Sequence, residues 1–361
     1  MRIVITGASG NVGSALLRRL TRDHNHDQDH EIVGVVRRQP EDVAPFDAVE
    51  WSLVDLTRTE DESTLRAACV GADAVVHLAW GFQPSHREDY LAELGVGGTR
   101  RVIEAVTAAG VPHLVHMSSV GAYSPKQDDT PVEETWPTHG VPSSMYSRHK
   151  AAAERLLDRL ERDAGADAPV VTRLRPGIVG QRNAGSALLR YGVPALLPSS
   201  VLRHVPVLPL DRGLTIPMVH ADDVADAIVR VLESRAPGAF NLAADPAVTA
   251  EDIAAALGTR LVHVPAAVVR GAVSLSWLAR LQQVDAGWID LGFAVPLMDT
   301  SRARSELGWS PTNDALAVLV ETVAGMAEGA ADHSPVLRPR SVVGALGRFA
   351  RRGPVATRQR P

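Results

Sequence analysis

Tyr146 and Lys150 stand four residues apart in Tyr146-Ser147-Arg148-His149-Lys150. That spacing puts both on one face of a helix. A free phenol, with a pKa of about 10, is a poor base at neutral pH; a neighbouring ammonium stabilises the phenolate and lowers that value. Such a pair passes a proton to or from a substrate oxygen while a hydride moves to or from a nicotinamide ring. Lys150 also reaches toward a nicotinamide ribose. Upstream, an apolar run ends in Ser118-Ser119. Ser119 is placed to hydrogen-bond the reacting oxygen and turn it toward Tyr146, with Ser118 nearer the cofactor. The plain alternative for both serines is a pair of satisfied strand-end hydroxyls.

The stretch Thr6-Gly7-Ala8-Ser9-Gly10-Asn11-Val12-Gly13 follows a strand-like run and opens a helix, the context a dinucleotide-binding turn requires. Gly7 permits the tight turn, Gly10 lets the backbone approach a pyrophosphate, and Gly13 lets the helix pack close to the sheet. The helix N-terminus, with Ser9, Asn11 and Val12 beside it, offers free N–H groups and positive dipole to the phosphates. A flexible strand-to-helix connection is the bland alternative. Arg37 and Arg38 follow the second strand, and the next acid is Glu41. Arginine there suits a ribose 2′-phosphate, where an acid would bind the free hydroxyl, so the cofactor reading is NAD(P), leaning to NADP(H). Asp55, with Leu56 beside it, is expected either to accept from the adenine amino group or to cap a helix over 57–68.

These groups need a frame. Arg2–Thr6, Glu31–Val36, Val49–Leu56, Ala74–Ala79, Leu114–Met117 and Val170–Leu174 read as strands. Asn11–Arg22, Arg100–Ala109 and Tyr146–Leu160 read as helices, the second closed by Gly110. The alternation predicts an α/β fold, a doubly wound parallel sheet of Rossmann type with its crevice at the strands' carboxyl ends. Residues 185–213 read as an insertion over that crevice. Val219–Glu233 is a strand end and helix with Asp222 or Asp223 as N-cap, and Phe240–Leu242 a short strand. The division expected is a dinucleotide-binding domain over 1–176 with 214–247 returning to it. A smaller, helix-rich substrate lobe takes 177–213 and 248–329. Residues 332–361 hold seven arginines and one acid, and 330–361 read as a basic, disordered tail.

Composition narrows the remaining classes. The chain has 361 residues, a net charge of -5 and a pI near 6.2, which gives no pull toward nucleic acid or anionic membrane. Cys69 stands alone, which excludes an internal disulfide and a multi-cysteine zinc site. Arg270 interrupts the most membrane-like window, Val264 to Leu281, and the chain opens without a leader pattern. The expectation is a cytoplasmic protein without stable membrane insertion. His24, His26 and His30 lie among Asp23, Asp27 and Asp29, but nothing fixes a geometry and a solvated loop is expected, with no metal. Trp80, Phe82 and Tyr90 either line a cleft or cap the sheet. Trp277, Trp288, Phe293 and Trp309 are expected in the second lobe's core.

Together these residues resemble the extended short-chain dehydrogenase/reductase superfamily in its NAD-dependent epimerase/dehydratase branch, over about residues 1–325. His77-Leu78-Ala79 is similar to the fourth-strand end that passes close to the cofactor. Met117–Tyr123 is similar to the catalytic-serine segment. Leu174–Gly180 is similar to the stretch beside the nicotinamide, which adds Pro176 and Ile178 to the cofactor contacts. Val219–Ala225, Asn241–Ala243 and Ser301–Trp309 match later signatures. The resemblance implies an NAD(P)-dependent enzyme acting on a small molecule, with Ser119, Tyr146 and Lys150 catalytic, and a homodimer through helices near Arg100 and Lys150. Two departures stand out. Gly95 replaces the asparagine that often assists the proton relay, and Thr215–Met218 lacks the Arg-Asp-aromatic segment of the sugar-nucleotide branches. The first leaves the relay to water or another group; the second, with the apolar stretch 188–210, favours a small, fairly apolar alcohol or ketone. A cofactor-binding sensor that does not turn over is the competing class.

Overall fold

β-branched, apolar runs build the main sheet, in a computed structural model that describes residues 1–22, 30–82, 84–165, 168–192 and 199–340. In chain order the first half runs β1 (Arg2–Thr6), α1 (Asn11–Arg22), β2 (Glu31–Val36), β3 (Glu50–Leu53), α2 (Glu62–Cys69) and β4 (Ala74–His77). It continues through α3 (Glu88–Ala92), α4 (Gly98–Ala109), β5 (His113–Met117), α5 (Met145–Ala164) and β6 (Val170–Pro176). The second half holds β7 (Ile178–Gly180), α6 (Gly185–Gly192), β8 (Val207–Leu210), β9 (Thr215–His220), α7 (Ala221–Ser234), β10 (Gly238–Leu242) and β11 (Ala244–Thr249). It ends with α8 (Ala250–Ala256), β12 (Arg260–His263), α9 (Ala266–Leu278), α10 (Ala286–Ala294), α11 (Ser301–Leu307) and α12 (Ala315–Glu328).

Seven parallel strands form one sheet in the order β3-β2-β1-β4-β5-β6-β10. Leaving β1, the chain pairs first with β2 on one side and later with β4 on the other. The crevice at that reversal is where a doubly wound sheet binds its ligand. Both faces are covered: Leu16, Leu17, Val224 and Ile228 of α1 and α7 pack on one, and Leu65, Val102, Val106 and Leu157 of α2, α4 and α5 on the other. Burial on both faces explains why these strands read as continuous apolar runs rather than alternating ones. Two small sheets, β11-β9-β7 and β12-β8, extend the fold beyond the crevice.

Several expectations shift. The third strand is shorter than 49–56, and α4 begins earlier, at Gly98, after a wide π-turn over Glu93–Gly97. The N-cap of α7 is His220, whose Nδ1 accepts from the Asp222 N–H at 3.1 Å, and neither Asp222 nor Asp223 has that place. Asp223 is instead buried, and its carboxylate accepts from the N–H and hydroxyl of Thr312 at 2.9 and 2.6 Å. It fastens α7 to the segment beyond α11. The tail expected from 330 is packed as far as residue 340, with Ser334 and Leu337 buried. The loop at 23–29 and residues 341–361 lie outside the described residues. No described helix is long and apolar enough to cross a membrane.

Candidate active site

The first turn of α5 is set before any chemistry is considered. Ser144 caps it, accepting from the Ser147 N–H at 3.4 Å. The fully buried Ser147 hydroxyl donates to the Gly121 carbonyl at 2.6 Å and accepts from the Val141 N–H at 2.6 Å. That ties the start of α5 to the turn after β5. Gly121 completes the fit, because a Cβ there would stand 2.9 Å from Cε1 of Tyr146. The phenol therefore lies over the turn that carries Ser119, and a Cβ at Gly121 would also stand 3.4 Å from the Ser119 hydroxyl. The same hydroxyl accepts from the Gly121 N–H at 3.0 Å.

Burial pushes the Tyr146 phenol up to about 12, against the opposing effect of Ser119. This corrects the expectation of an ammonium-lowered phenol. Lys150 donates to the Met117 carbonyl at 2.8 Å and lies 3.6 Å from the centre of the Trp80 ring. Burial brings Lys150 down to about 7, with Glu154 working the other way. Tyr146 is a neutral acid in this arrangement, and Lys150 is a group that titrates near neutrality.

An aromatic wall surrounds the phenol. Trp80 and Phe82 meet Tyr146 edge-on at 6.4 and 5.5 Å, and Trp288 lies 5.2 Å away. Trp80 and Phe82 thus pack on the phenol ring. Trp288 packs against the cluster of Leu291, Val295 and Met298 as well as on Tyr146, whereas Trp309 is fully buried in the core of the main sheet and not in that of the second lobe. Tyr90 is buried and its hydroxyl accepts from Arg37.

Beneath the site lies a network that the sequence reading missed. Arg175 of β6 grips Glu154 of α5 with two bonds of 2.8 and 3.0 Å, and Ser118 donates to Glu154 at 2.6 Å. Burial works to raise the Glu154 carboxyl, but the hydrogen bonds and charge of Arg175, with Ser118 and Arg173, hold it below its ordinary range. The signal was present: Tyr146, Lys150 and Glu154 repeat every four residues along one helix stripe. Ser118 is therefore engaged inside the protein, not turned toward a cofactor. His77 is likewise internal, bonded to Thr6 at 2.7 Å and Thr99 at 3.1 Å. With Thr99 donating to the Gly95 carbonyl at 2.7 Å, the His77 proton sits on Nε2. His77 links β1 to the start of α4.

The glycine turn meets the steric demands of a dinucleotide. Gly7 has φ +72°, and a Cβ on it would lie 2.8 Å from the Ala79 nitrogen. At Gly13 a Cβ would come within 2.4 Å of the Ala8 carbonyl oxygen, so helix and turn touch as such a cradle requires. A Cβ at Gly10 would meet only the Gly7 carbonyl, at 3.1 Å, which leaves its outer side open. Asn11 is held from behind, donating to the Val179 carbonyl at 3.0 Å and accepting from Gln181 at 2.7 Å. Val12 is partly buried beside it, and Pro176 and the exposed Ile178 mark the far lip. Asp55 accepts from the Thr57 N–H and hydroxyl at 3.0 and 2.7 Å, closing a tight turn; it caps no helix, since α2 starts only at Glu62, and Leu56 is buried against Gly98.

The sequence profile of the NAD dependent epimerase/dehydratase family matches residues 3–243. The chain belongs to that family. Its members are enzymes, and the fit of the glycine turn agrees with the nicotinamide cofactor in the family's description. An uncharacterised protein of Mycobacterium tuberculosis is 28% identical over 313 residues, which are 86% of this chain and 28% of that protein. The chain thus spans under a third of that longer relative. An uncharacterised epimerase/dehydratase of Staphylococcus aureus strain USA300 is 24% identical over 87% of this chain and 92% of its own length. Among solved structures, a Thermus thermophilus UDP-glucose 4-epimerase with NAD superposes at TM-score 0.66 with 23% identity, covering 91% of this chain and 100% of that one. A Streptomyces venezuelae dTDP-glucose 4,6-dehydratase variant reaches TM-score 0.69 at 20% identity, covering 91% and 97%. These likenesses show a shared epimerase/dehydratase fold.

Proposed function

We propose that the protein moves a hydride between NADP(H) and a carbon bearing a hydroxyl or carbonyl in a small, largely apolar molecule. The observation that supports this most is the placing of the Tyr146 ring and the Ser119 hydroxyl side by side against Gly121, with Lys150 one helical turn further along α5. The nicotinamide, when bound, supplies or accepts the hydride. Ser119 holds the substrate oxygen by a hydrogen bond. Tyr146 donates its proton to that oxygen during reduction and takes one back during oxidation. Lys150, titrating at about 7, is suited to resupplying the phenol near neutrality. Gly7, Ser9, Gly10, Asn11, Val12 and Gly13 would cradle the phosphates, and Leu78, Ala79, Pro176 and Ile178 would border the nucleotide. Net oxidoreduction and epimerisation share this first step. They differ in whether the hydride returns to the same molecule.

The preference for NADP(H) rests on Arg37 and Arg38 at the end of β2, with no acid before Glu41. The substrate class rests on Trp80, Phe82 and Trp288, which give the phenol apolar neighbours where a charged ligand would lose hydration. The Thermus thermophilus relative is named for UDP-glucose, and the aromatic wall here favours something smaller and less charged. A screen of small ketones and UDP-sugars, read by nicotinamide absorbance, tests the proposal. NADPH oxidation with a small apolar ketone is expected. Turnover of UDP-sugars alone would contradict the substrate class.

A further inference from the structure

Residues 331–340 form a strap that returns from α12 to the rim of the glycine turn. The Ser334 hydroxyl donates to the Ser9 carbonyl at 2.8 Å, a buried bond between the two ends of the chain. The Glu41 N–H donates to the His333 carbonyl at 3.0 Å, and the two side chains pair at 2.7 Å. Asp332 approaches Arg18 of α1 at 3.7 Å. Leu337 is buried against Ala184 and Ala187, and Arg190 donates to the carbonyls of Val336 and Arg338. The strap is thus fixed up to the Arg338 carbonyl, and its His333 and Ser334 lie beside the glycine turn and the segment after β2. Burial, then the charge of Arg338, then that of Arg37, lower the Arg38 guanidinium from its ordinary value. The charges that act on Arg38 are both arginines. Glu41, the nearest acid in sequence, is turned to His333. Cations gathered at a strand end beside a phosphate-binding turn have the makings of an anion site.

We propose that the C-terminal strap completes the cofactor site, with Arg338 joining Arg38 on a ribose 2′-phosphate and Ser334 fixing the turn through Ser9. This deepens the NADP(H) reading and rests on it. It also gives residues beyond the family match at 3–243 a part in cofactor choice.

Calorimetric titration of the full-length protein with NADPH and with NADH tests it. The parent should bind NADPH more tightly than NADH. Arg338→Ala should weaken NADPH about tenfold, the scale of one charge-assisted contact, and leave NADH unchanged. Arg338→Lys should recover part of the loss. Leu337→Asp, which unseats the strap, should act like Arg338→Ala. Arg203→Ala, on an exposed arginine beside Glu328, should alter neither affinity. NADPH bound equally by the parent and Arg338→Ala would overturn the proposal while leaving the hydride-transfer reading intact, as would equal affinities for the two cofactors in the parent. Binding of neither cofactor would overturn both.

Discussion

The Lys150 ammonium lies 3.6 Å from the centre of the Trp80 ring, and the same indole rests where a side chain at position 95 would be. A Cβ on Gly95 would stand 3.0 Å from Trp80 Cη2. Glycine at 95, where the resembling family often has asparagine, is the space that admits the indole. A ring face favours the charged form of the amine beside it. Trp80 therefore works against the burial that lowers Lys150.

That relationship is measurable without a substrate, because Lys126 and Lys150 are the only lysines. Labelling of lysine Cε gives two NMR signals, and Lys126 is the internal reference. In the parent, Lys150 should titrate near 7. Trp80→Leu removes a contact of about 0.5–2 kcal/mol and should lower that value by up to about one unit. An unchanged or raised value would show the ring to be a spacer only.

Glu154 lies 2% exposed between Arg175 and Arg173. Glu154→Gln removes the carboxylate that Arg175 grips, while Arg173 keeps Asp158 and Glu161. The expected loss is about 3–5 kcal/mol of folding stability, read by urea unfolding. Arg175→Met with Glu154→Leu should recover much of it, since replacing a buried pair by apolar groups is often neutral.

Acid should destabilise the protein earlier than its carboxylates alone would predict. Burial lowers His77 from 6.5 to about 3 and His113 to about 4, and lowers His116 well below its ordinary value. Below 6.5 the unfolded chain takes up protons that the native state refuses, so stability is full above that pH and falls as pH drops toward the folded values. Each histidine contributes a slope of up to about 1.4 kcal/mol per pH unit. Both His116 ring nitrogens lack a hydrogen-bond partner among the described residues, so His116→Leu should flatten the melting-temperature profile between about pH 6.5 and 5. A profile as steep as the parent's would contradict this.

The elements that carry strong local signals were legible. The glycine turn, the strands flanking it and the Tyr146–Lys150 stripe follow from spacing and apolar periodicity, which are properties of neighbouring residues. Positions set by distant partners were not. The Ser118 and His77 side chains are claimed by Glu154 and by Thr6 and Thr99, contacts that no local pattern encodes. Trp288 reaches Tyr146 across a long sequence gap, and Ser334 reaches Ser9 from the other end of the chain. The tail's arginine-rich composition suggested disorder, yet Leu337 and Ser334 are enough to fasten its first ten residues. The direction of the phenol's shift was also misread, because burial raises it while the Lys150 ammonium is turned to the Met117 carbonyl.

The central claim is that the Tyr146 hydroxyl exchanges the proton that accompanies hydride transfer. The direct measurement is single-turnover oxidation of bound NADPH by an accepted ketone, comparing the parent with Tyr146→Phe after calorimetry has shown equal cofactor affinity. Loss of the general acid should slow the step by about 10²- to 10⁴-fold. An unchanged rate in Tyr146→Phe would contradict the account.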